Sequence, residues 1–528
     1  MSLVGAKVLR KEDPRLLTGS GQFVDDLSPT GCLFASFVTS SEAHAHITAI
    51  DVREALATEG VVAVYTAADF ADYPDVPGGL PDLERPVLAR NTVRFVGEPV
   101  AIVVAQDRYC AADGVQAVLV DYEPLPVMTT IASATAPDAM ALHAAHGSNV
   151  ATIVPMLDDL ERELDRCDQR AGLHVVNQRC AAVPIEPVAC LADWTPSGLT
   201  LWATFQAPHH LRNYLATFLD VPQSRCRVIA PDVGGGFGAK IVWYPELFVA
   251  PLLSKWLRRP VKFAQTRSEA MVQMSAGRDQ EHDIDVGFDR DGRIKALRVV
   301  VSQNLGAYPD PTGLGLAVLT TWMAAGAYRI ADVQTSYRTV TTNTTPVAAY
   351  RGAGRPEASY SIERIVDLVA RRTGLDPAEV RRKNFIQKEQ FPYKSPLNFT
   401  YDSGDYEHTM DVALEKIGYK QLLEEQKEKR ARGELMGIGI STFTEVTGAG
   451  PSKHFDILGI KMFDGAEIRI HPSGSGIIRT GTKSQGQGHE TTWAQIVAEE
   501  LGLDPQNFLV EEGDTDTAPY GLGTYASR

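Results

Sequence analysis

The chain has 528 residues, of which 44% are hydrophobic and 22% are charged, and this length predicts more than one domain because it exceeds a single hydrophobic core. Its 51 basic and 66 acidic residues give a formal charge of −15, which argues against nucleic acid as the main partner because phosphate binding needs a basic surface. The N-terminus lacks the apolar run of a signal peptide, and no stretch of about twenty apolar residues occurs, so the sequence predicts a cytoplasmic protein without a membrane span.

Six cysteines are scattered along the chain without a C-x-x-C pair, and scattered thiols are typical of a cytosolic protein rather than of a disulfide framework. Iron–sulfur clusters need closely spaced thiolates, and zinc sites need a regular spacing of histidines or cysteines. Neither spacing occurs, so we expect neither kind of centre to be held by this chain alone.

Residues 1–130 mix short strands and helices. Val93–Gln106 predicts a strand that Gly97 and Pro99 interrupt before a run of β-branched residues resumes it. A helix over DRYCAADGVQAV and a strand over LVDYEPLPV follow, and this strand–helix–strand unit predicts a small, separately packed α/β domain. Residues 128–150 are rich in Ala, Thr and Pro without periodicity, which is typical of a linker.

Two later helices are predicted by the spacing of their apolar residues, Arg355–Thr373 before Gly374 and His489–Leu501 before Gly502. The buried face of the first is predicted to comprise Ile362, Ile365, Val366 and Val369. That of the second is predicted to comprise Trp493, Ile496, Val497 and Leu501. Between these helices, residues 405–435 predict a charged surface helix, after which strands are expected to resume from Met436.

Val233–Lys240, VGGGFGAK, is the first of four glycine-rich segments. Three consecutive glycines allow a backbone to approach a ligand closely and to turn its N–H groups toward anionic oxygens. A tight turn between a strand and a helix would have the same sequence. The segment is neither a P-loop nor a dinucleotide fingerprint, because Ile241 stands where Ser or Thr should be and the glycines lack the G-x-G-x-x-G gaps.

The other three segments combine small residues with amides, hydroxyls or arginines. Ala348–Ala358 places glycines between two arginines, whose planar donor forks suit phosphate or an oxo group, although solvent-facing arginines at a helix entry would look the same. Arg479–Gln495 crowds amides at a helix start, which suits an anion, although a polar cap with a surface His489 is the alternative. Gly521–Arg528 adds small residues and hydroxyls. Together the four segments predict a cofactor with many polar oxygens and a diphosphate.

At these segments the sequence resembles the molybdenum hydroxylase family, which includes the large subunits of xanthine dehydrogenase, aldehyde oxidase and carbon monoxide dehydrogenase. Six motifs occur in the same order as in that family: KEDPRLLTGSGQFVDD, VRFVGEPVAIVVA, NQR-to-PIEP, GGGFGAK, AYRGAGRPEA and GQGHETTWAQIVAEELG. The resemblance implies an α+β chain with a hammerhead domain followed by molybdopterin-binding α/β domains, the last one truncated. The expected bounds are 1–130 for the hammerhead domain, 131–150 for a linker, 151–404 for the first molybdopterin-binding domain and 405–528 for the second.

The resemblance also implies a set of cofactor-binding residues. Gln206 corresponds to the glutamine whose amide hydrogen-bonds the apical oxo ligand of molybdenum, and Phe237 to the phenylalanine beside the metal. Arg351 and Gly352 correspond to the loop beside the dithiolene. The other expected contacts are Gly235, Gly236, Gly238, Gln485, Gly486, Gln487, Gly488, His489, Thr524, Tyr525, Ala526 and Ser527. The metal is expected to be surrounded, without direct side-chain ligands, by Gln206, Phe237, Arg351 and Ala526.

Three departures from the family's patterns bear on the substrate. Carbon monoxide dehydrogenase has a copper-bridging cysteine where this chain has Gly352, which disfavours carbon monoxide oxidation by that mechanism. The xanthine-oxidising members have a glutamate at the position of Ile241 and a phenylalanine at that of Ala353, which disfavours purines. The resemblance therefore implies oxidation of an aldehyde or an N-heteroaromatic substrate, with water as the oxygen source.

The resemblance also implies further components. The expected cofactor is molybdenum with molybdopterin in its cytosine dinucleotide form, and electrons are expected to leave to a small subunit with [2Fe-2S] centres and a medium subunit with FAD. The family's catalytic base is a glutamate in a G-x-G-E loop downstream of the last motif seen here. No residue up to Arg528 corresponds to it, so we assign no catalytic residue and expect a missing segment or a second molybdopterin-domain chain to supply one. A carbon monoxide dehydrogenase-like subunit and a non-catalytic cofactor scaffold are the alternatives.

Overall fold

The structure, a computed structural model, describes residues 2–78, 80–157, 160–397, 399–447, 456–457, 460–461 and 463–526. Over this part of the chain, strands and helices follow one another in the mixed α+β arrangement that the sequence predicts. The strands are β1 (Leu33–Thr39), β2 (Ala45–Asp51), β3 (Val61–Thr66), β4 (Thr92–Val93), β5 (Pro99–Ala105), β6 (Leu119–Pro124), β7 (Val150–Val154), β8 (Gln169–Asn177), β9 (Cys180–Ala181), β10 (Ala189–Thr195), β11 (Gly198–Ala203), β12 (Cys226–Ile229), β13 (Val261–Ala264), β14 (Ala276–Gly277), β15 (Gln280–Phe288), β16 (Ile294–Gly306), β17 (Asp332–Thr341), β18 (Tyr393–Lys394), β19 (Thr400–Tyr401), β20 (Asp456–Ile457), β21 (Ile460–Lys461), β22 (Ala466–Ile470), β23 (Gly476–Thr480) and β24 (Phe508–Glu512).

The helices connect and cover these strands. They are α1 (Asp13–Leu17), α2 (Arg53–Ala57), α3 (Arg108–Ala117), α4 (Ile131–Ala134), α5 (Glu161–Asp165), α6 (Pro208–Phe218), α7 (Glu246–Leu257), α8 (Arg267–Gln273), α9 (Pro311–Trp322), α10 (Arg355–Thr373), α11 (Pro377–Asn384), α12 (Tyr406–Ile417), α13 (Tyr419–Ala431) and α14 (His489–Leu501). None of the described helices is long and apolar enough to cross a membrane.

A seven-stranded sheet joins segments that are far apart in the sequence, in the order β12–β11–β10–β13–β1–β5–β3. β1 lies parallel to β13, so that Leu33 pairs with Val261, and antiparallel to β5. The prediction of a separately packed unit in residues 1–130 is therefore wrong, because three of its strands belong to the same sheet as four strands from residues 189–264. All seven residues of β5 are buried, which fits a strand inside the sheet.

A second sheet has the order β7–β17–β16–β15–β8 and packs against α9 and α10. The predicted helix over residues 355–373 is confirmed as α10. Its predicted inner face is confirmed as well, because none of the four residues is more than 2% exposed. They pack with Val301 and Val286 of the sheet in one core.

The third sheet, β22–β23–β24, packs against α14. The bounds predicted for this helix are confirmed, but half of its predicted apolar face is wrong. Ala494 and Ala498 are fully buried, whereas Ile496 and Leu501 are 42% and 48% exposed. Small alanines let the helix approach the sheet closely, so the buried stripe is displaced from the large residues.

The charged segment over residues 405–435 forms two helices, α12 and α13, rather than one. Gly418 ends the first in a left-handed conformation, with a φ of 69°, which only glycine adopts easily. The strands predicted from Met436 do not occur in residues 436–447, and β20 begins at Asp456. All six cysteines are free thiols, and Cys190 and Cys226 are buried.

Candidate functional site

Five segments converge where strands end and helices begin. Gln206 lies between β11 and α6, and residues 233–240 lie between β12 and α7. Because β11 and β12 are parallel neighbours, their carboxyl ends lie side by side, where α/β sheets commonly bind ligands. Residues 349–354 precede α10, residues 481–488 precede α14, and residues 520–526 follow β24.

Gln206 is 2% exposed and uses its amide to join two of these segments. Its Oε1 accepts hydrogen bonds from the backbone N–H groups of Gly238, at 2.9 Å, and Lys240, at 3.2 Å. Its Nε2 donates to the carbonyl of Thr524 at 2.9 Å. Since the two acceptor bonds fix which end of the amide is oxygen, the second N–H of Nε2 has a defined direction and can serve a further acceptor.

The 233–240 loop brings Phe237 to the surface of this arrangement. Phe237 is 41% exposed, and its φ of 56° is unusual for a bulky residue. A Cβ on Gly236 would lie 2.7 Å from Cδ of Gln206, and one on Gly238 would lie 2.7 Å from the carbonyl oxygen of Ala349. The glycines at these two positions are therefore required by the close approach of neighbouring segments.

The loop over residues 349–354 is attached to the first loop, since the N–H of Arg351 donates to the carbonyl of Phe237 at 2.8 Å. Arg278 supports this loop by donating hydrogen bonds to the carbonyls of Tyr350, at 2.8 Å, and Arg351, at 2.7 Å. Arg278 also faces the fully buried Glu357 at 3.4 Å. The guanidinium of Arg351 is exposed and makes no hydrogen bond or ion pair with residues that the structure describes.

The loop over residues 481–488 ends at the N-terminus of α14. Gly486 and Gln487 are exposed, whereas Gly488 and His489 are buried, so the alternative interpretation of His489 as a surface residue is wrong. His489 Nδ1 lies 3.2 Å from Glu512 Oε2, and Glu512 also accepts from the N–H of Ser484 at 2.6 Å. Burial raises the pKa of Glu512, but the His489 bond and the nearby Lys483 charge outweigh it, so this pKa lies below its ordinary value.

Thr524, which is 3% exposed, connects the last segment to the others. Its N–H donates to the carbonyl of Gln206 at 2.9 Å, and its hydroxyl accepts from the N–H of Lys483 at 2.8 Å. Its carbonyl accepts from Gln206 and, at 3.3 Å, from Gln485 Nε2. Tyr525 and Ala526 follow, with the φ of Ala526 at 54°, and Ser527 lies outside the described residues.

Backbone strain is concentrated at this place. Among the described residues, nine that are not glycine have a positive φ. Those that lie in or beside the converging segments are Val183, Phe237, Arg278, Ala353 and Ala526. Such conformations cost free energy and cluster at functional sites, where the surrounding structure enforces them.

Four charged residues that support these loops were missed in the sequence. Lys240, which is fully buried, pairs with Glu186 at 3.0 Å beside the first loop. Burial lowers the pKa of Lys240, and the Glu186 charge opposes that change. Arg278 and Glu512 support the second and third loops. Glu186 and Lys240 occur in the PIEP and GGGFGAK motifs, but sequence does not distinguish a buried lysine from a surface one.

The arrangement suits an anionic ligand with many oxygens. Four residues of the converging segments are exposed: Phe237, Arg351, Gly486 and Gln487. A Cβ added at Gly486 would meet no atom within 4 Å. Donors available to a ligand include the second Gln206 N–H, the Arg351 guanidinium and the α14 N-terminus. Among the described residues, no group of three or more His, Cys, Asp or Glu side chains is placed to hold a metal ion.

Three family descriptions match the chain. Residues 18–126 match the a/b hammerhead domain of aldehyde oxidase and xanthine dehydrogenase. Residues 142–385 and residues 412–528 match two descriptions of a molybdopterin cofactor-binding domain.

Individual proteins match over nearly the whole chain. The carbon monoxide dehydrogenase large chain of Afipia carboxidovorans is 43% identical, covering 99% of this chain and 68% of its own length. The nicotine 6-hydroxylase large subunit of Paenarthrobacter nicotinovorans is 33% identical, covering 100% of this chain and 66% of its own length. Among solved structures, quinoline 2-oxidoreductase from Pseudomonas putida 86 is 35% identical with a TM-score of 0.93, covering 99% of this chain and 68% of that one. The chain thus spans about two thirds of the length of these relatives.

Proposed function

Since the chain belongs to the aldehyde oxidase and xanthine dehydrogenase family, as a molybdopterin-binding subunit of a molybdenum hydroxylase, we propose that it oxidises an aldehyde or an N-heteroaromatic compound. The oxygen introduced comes from water, and the electrons pass to partner subunits. The observation that supports this proposal is the set of hydrogen bonds by which Gln206 and Thr524 join the 206, 233–240, 481–488 and 520–526 segments.

The chain's residues would hold and orient the cofactor rather than ligate its metal. Gln206 would offer its second amide N–H, Arg351 its guanidinium, and residues 487–489 their backbone N–H groups. When bound, the cofactor supplies two-electron redox chemistry at molybdenum. Phe237 would provide an apolar wall beside the reacting groups, which limits the access of water. The remaining proposed contacts are Gly235, Gly236, Gly238, Gly352, Tyr525, Ala526 and Ser527.

Gly352 is the position that favours an organic substrate over carbon monoxide. Its φ is 94°, and a Cβ built on it would lie 2.5 Å from Cγ of Pro356. A cysteine there would require the backbone to move, so the metal-bridging thiolate of the carbon monoxide enzymes has no counterpart in this loop. The second candidate, carbon monoxide oxidation, is favoured by the 43% identity to a carbon monoxide dehydrogenase large chain.

We propose the cytosine dinucleotide form of molybdopterin, because a diphosphate and a nucleotide would use the many donors of the 481–489 segment. Several relatives are named as large chains or subunits of complexes, and partner subunits are accordingly expected. We propose that one partner is small and carries [2Fe-2S] centres and that another is of medium size and carries FAD.

We also propose that a further molybdopterin-domain segment or chain packs against the third sheet. Ile468 pairs with Ile478, so both side chains lie on the face that α14 covers. Ile478 is 2% exposed beneath the helix, whereas Ile468 is 49% and Ile470 is 44% exposed at the sheet edge. A partner over these two residues would bury apolar surface that α14 does not reach.

The same segment or chain is proposed to carry the catalytic base. Two carboxylates beside the described loops are engaged by cations, Glu186 by Lys240 and Glu357 by Arg278. A third, Glu512, lies 3.2 Å from His489 Nδ1. The pKa of Glu512 lies below its ordinary value, which makes it poorly suited to take a proton from the reacting group.

The proposal is tested on the assembled complex. Metal analysis should find about one molybdenum per copy of this chain, and acid hydrolysis of the released cofactor should yield CMP. With an artificial electron acceptor, the complex should oxidise benzaldehyde or quinoline, and oxygen from H₂¹⁸O should appear in the product. Xanthine and carbon monoxide should give no turnover.

Two results would contradict different parts of this proposal. A correctly assembled complex without molybdenum would overturn the cofactor assignment. A molybdenum-containing complex that oxidises carbon monoxide but neither organic compound would favour the second candidate function.

A further inference from the structure

We propose that Glu186 and Lys240 form a positioning pair that fixes the Gln206 amide for its interaction with the cofactor, an inference that rests on the proposed function. The two residues stand on different segments, Glu186 shortly before β10 and Lys240 shortly before α7. Neither belongs to the set of residues expected to touch the cofactor.

The pair is largely buried, and its two side chains carry opposite charges. Lys240 Nζ lies 3.0 Å from Glu186 Oε2, and the side chains are 0% and 15% exposed. The same carboxylate oxygen accepts from the N–H of Gly234 at 2.7 Å, and the N–H of Glu186 donates to the carbonyl of Gly234 at 3.1 Å. Glu186 therefore anchors both ends of the 234–240 segment, one through the backbone and the other through the lysine.

Lys240 in turn holds Gln206 by two backbone bonds. The N–H of Lys240 donates to Gln206 Oε1 at 3.2 Å, and the N–H of Gln206 donates to the Lys240 carbonyl at 2.9 Å. A shift of Lys240 would thus move both the backbone and the amide oxygen of Gln206. The amide nitrogen would move with them, because a planar amide turns as a unit.

The sequence of the loop explains why such an anchor is needed. Gly234, Gly235, Gly236 and Gly238 leave the segment with large conformational freedom, which must be removed if the loop is to present one geometry. The segment that carries Glu186 is itself held, since Arg267 donates to the carbonyl of Ile185 at 2.8 Å. The backbone next to Glu186 is therefore held by a residue outside the 234–240 loop.

Stability alone is a weak reason for this pair. Replacing a buried ion pair by apolar residues of similar volume is often neutral or stabilising, so an apolar pair could fill the same space. An apolar pair would not reach the Gly234 N–H or hold the loop at a defined distance. Arg381 and Glu363 provide a matched comparison, because they form another buried pair, 0% and 7% exposed at 2.7 Å, that shares no described contact with the five segments.

The test uses the assembled complex with the double variant Lys240→Met/Glu186→Gln, which removes both charges together. Molybdenum content, thermal midpoint, kcat and KM are measured with benzaldehyde or quinoline, whichever the wild type oxidises. The Mo(V) electron paramagnetic resonance spectrum is recorded after dithionite reduction. We expect molybdenum content within about twofold of wild type, at least a tenfold loss of kcat, a KM change below about threefold and shifted g values.

The matched control is the double variant Arg381→Met/Glu363→Gln, which should change the thermal midpoint but leave the Mo(V) spectrum and kcat per molybdenum unchanged. A Lys240→Met/Glu186→Gln variant with wild-type spectrum and kcat would overturn the inference. If that variant loses the cofactor, Glu186→Asp decides the question, since it keeps the charge and shortens the reach by one methylene.

Glu186→Asp is expected to retain molybdenum and lose at least fivefold in kcat with an altered spectrum, and wild-type values for both would overturn the inference. Failure of the proposed function has a different signature. In that case the wild-type complex itself contains no molybdenum, which also removes the basis of the inference.

Discussion

Gln206 shows how much a single side chain determines at this site. Its amide oxygen accepts two backbone hydrogen bonds and its amide nitrogen donates one, so the orientation of its remaining N–H is set by three described bonds. Phe237 is positioned differently, through a strained backbone that holds a bulky ring 41% exposed. Both residues are expected to act on turnover more than on folding.

We therefore predict that Gln206→Ala lowers kcat per molybdenum by roughly a hundredfold, about 3 kcal/mol, as for the loss of one well-placed donor. Phe237→Ala should lower kcat per molybdenum by roughly tenfold, because removing the ring lets water into the site. Steady-state kinetics and thermal unfolding of the complex measure both effects. Tyr109→Ala, a truncation of an aromatic residue that is 76% exposed in α3, is the control and should change neither. Wild-type turnover in a molybdenum-loaded Gln206→Ala variant would show that the amide only supports the loop.

His282 is a residue whose burial makes stability depend on pH. It is fully buried in β15, and desolvation lowers its pKa to about 4 from 6.5. Because the folded pKa is the lower one, the unfolded chain binds the proton more readily, and stability is full above pH 6.5 and lost as pH falls toward 4. The expected loss from this group at pH 5 is about 2 kcal/mol.

We predict that His282→Gln flattens the pH dependence of the unfolding free energy by about that amount between pH 7.5 and pH 5. Urea unfolding at the two pH values measures the change. His174→Gln on the neighbouring strand is the control, because His174 has a side chain that is 53% exposed. An unchanged slope in His282→Gln would contradict the argument.

At the level of elements, the loops depend on close approach between backbones. Gly236 faces Gln206, and a Cβ there would lie 2.7 Å from the glutamine side chain. We predict that Gly236→Ala reduces the molybdenum content of the complex by at least about half, because Gln206 must turn away. Gly439→Ala is the control, since a Cβ at Gly439 would meet no atom within 4 Å. Equal metal content in the two variants, measured by mass spectrometry, would argue against this geometry.

The N-terminal segment attaches α14 to the rest of the molecule. Arg15 bridges Asp232 of the first loop region and Glu490 at the start of α14, both at 2.6 Å. A hydrogen bond to a charged group contributes about 1.5–3 kcal/mol, so Arg15→Met should raise amide exchange at the start of α14 by about tenfold. Hydrogen–deuterium exchange measures this. Arg53→Met is the control, because its pair with Asp51 is local and exposed, and an α14 exchange rate equal in both variants would contradict the prediction.

At the scale of the whole molecule, the exposed edge of the third sheet predicts how the complex assembles. Ile468 and Leu509 are similarly exposed, at 49% and 56%, but lie on opposite faces of the sheet. We predict that Ile468→Asp strongly reduces co-purification of the proposed molybdopterin-domain partner, while Leu509→Asp leaves it intact. Pull-down from a co-expression strain followed by size-exclusion chromatography measures the effect. Equal partner recovery with both variants would place the interface elsewhere.

Local patterns in the sequence predicted several of the elements and indicated the kind of ligand. The spacing of Ile362, Ile365, Val366 and Val369 predicted α10 and its buried face, because helical periodicity is a property of consecutive residues. The glycine-rich motifs likewise indicated loops that could surround an oxygen-rich cofactor. Which residues touch that cofactor is still a prediction.

Only the tertiary structure decided how distant segments combine. The pairing of Leu33 with Val261, which merges the first 130 residues into a larger sheet, depends on contacts between remote strands. The burial of Lys240 against Glu186 and of His489 against Glu512 arises in the same way. A lysine or a histidine is expected at the surface unless its partner is known. The partner of each of these two residues lies more than twenty positions away in the chain.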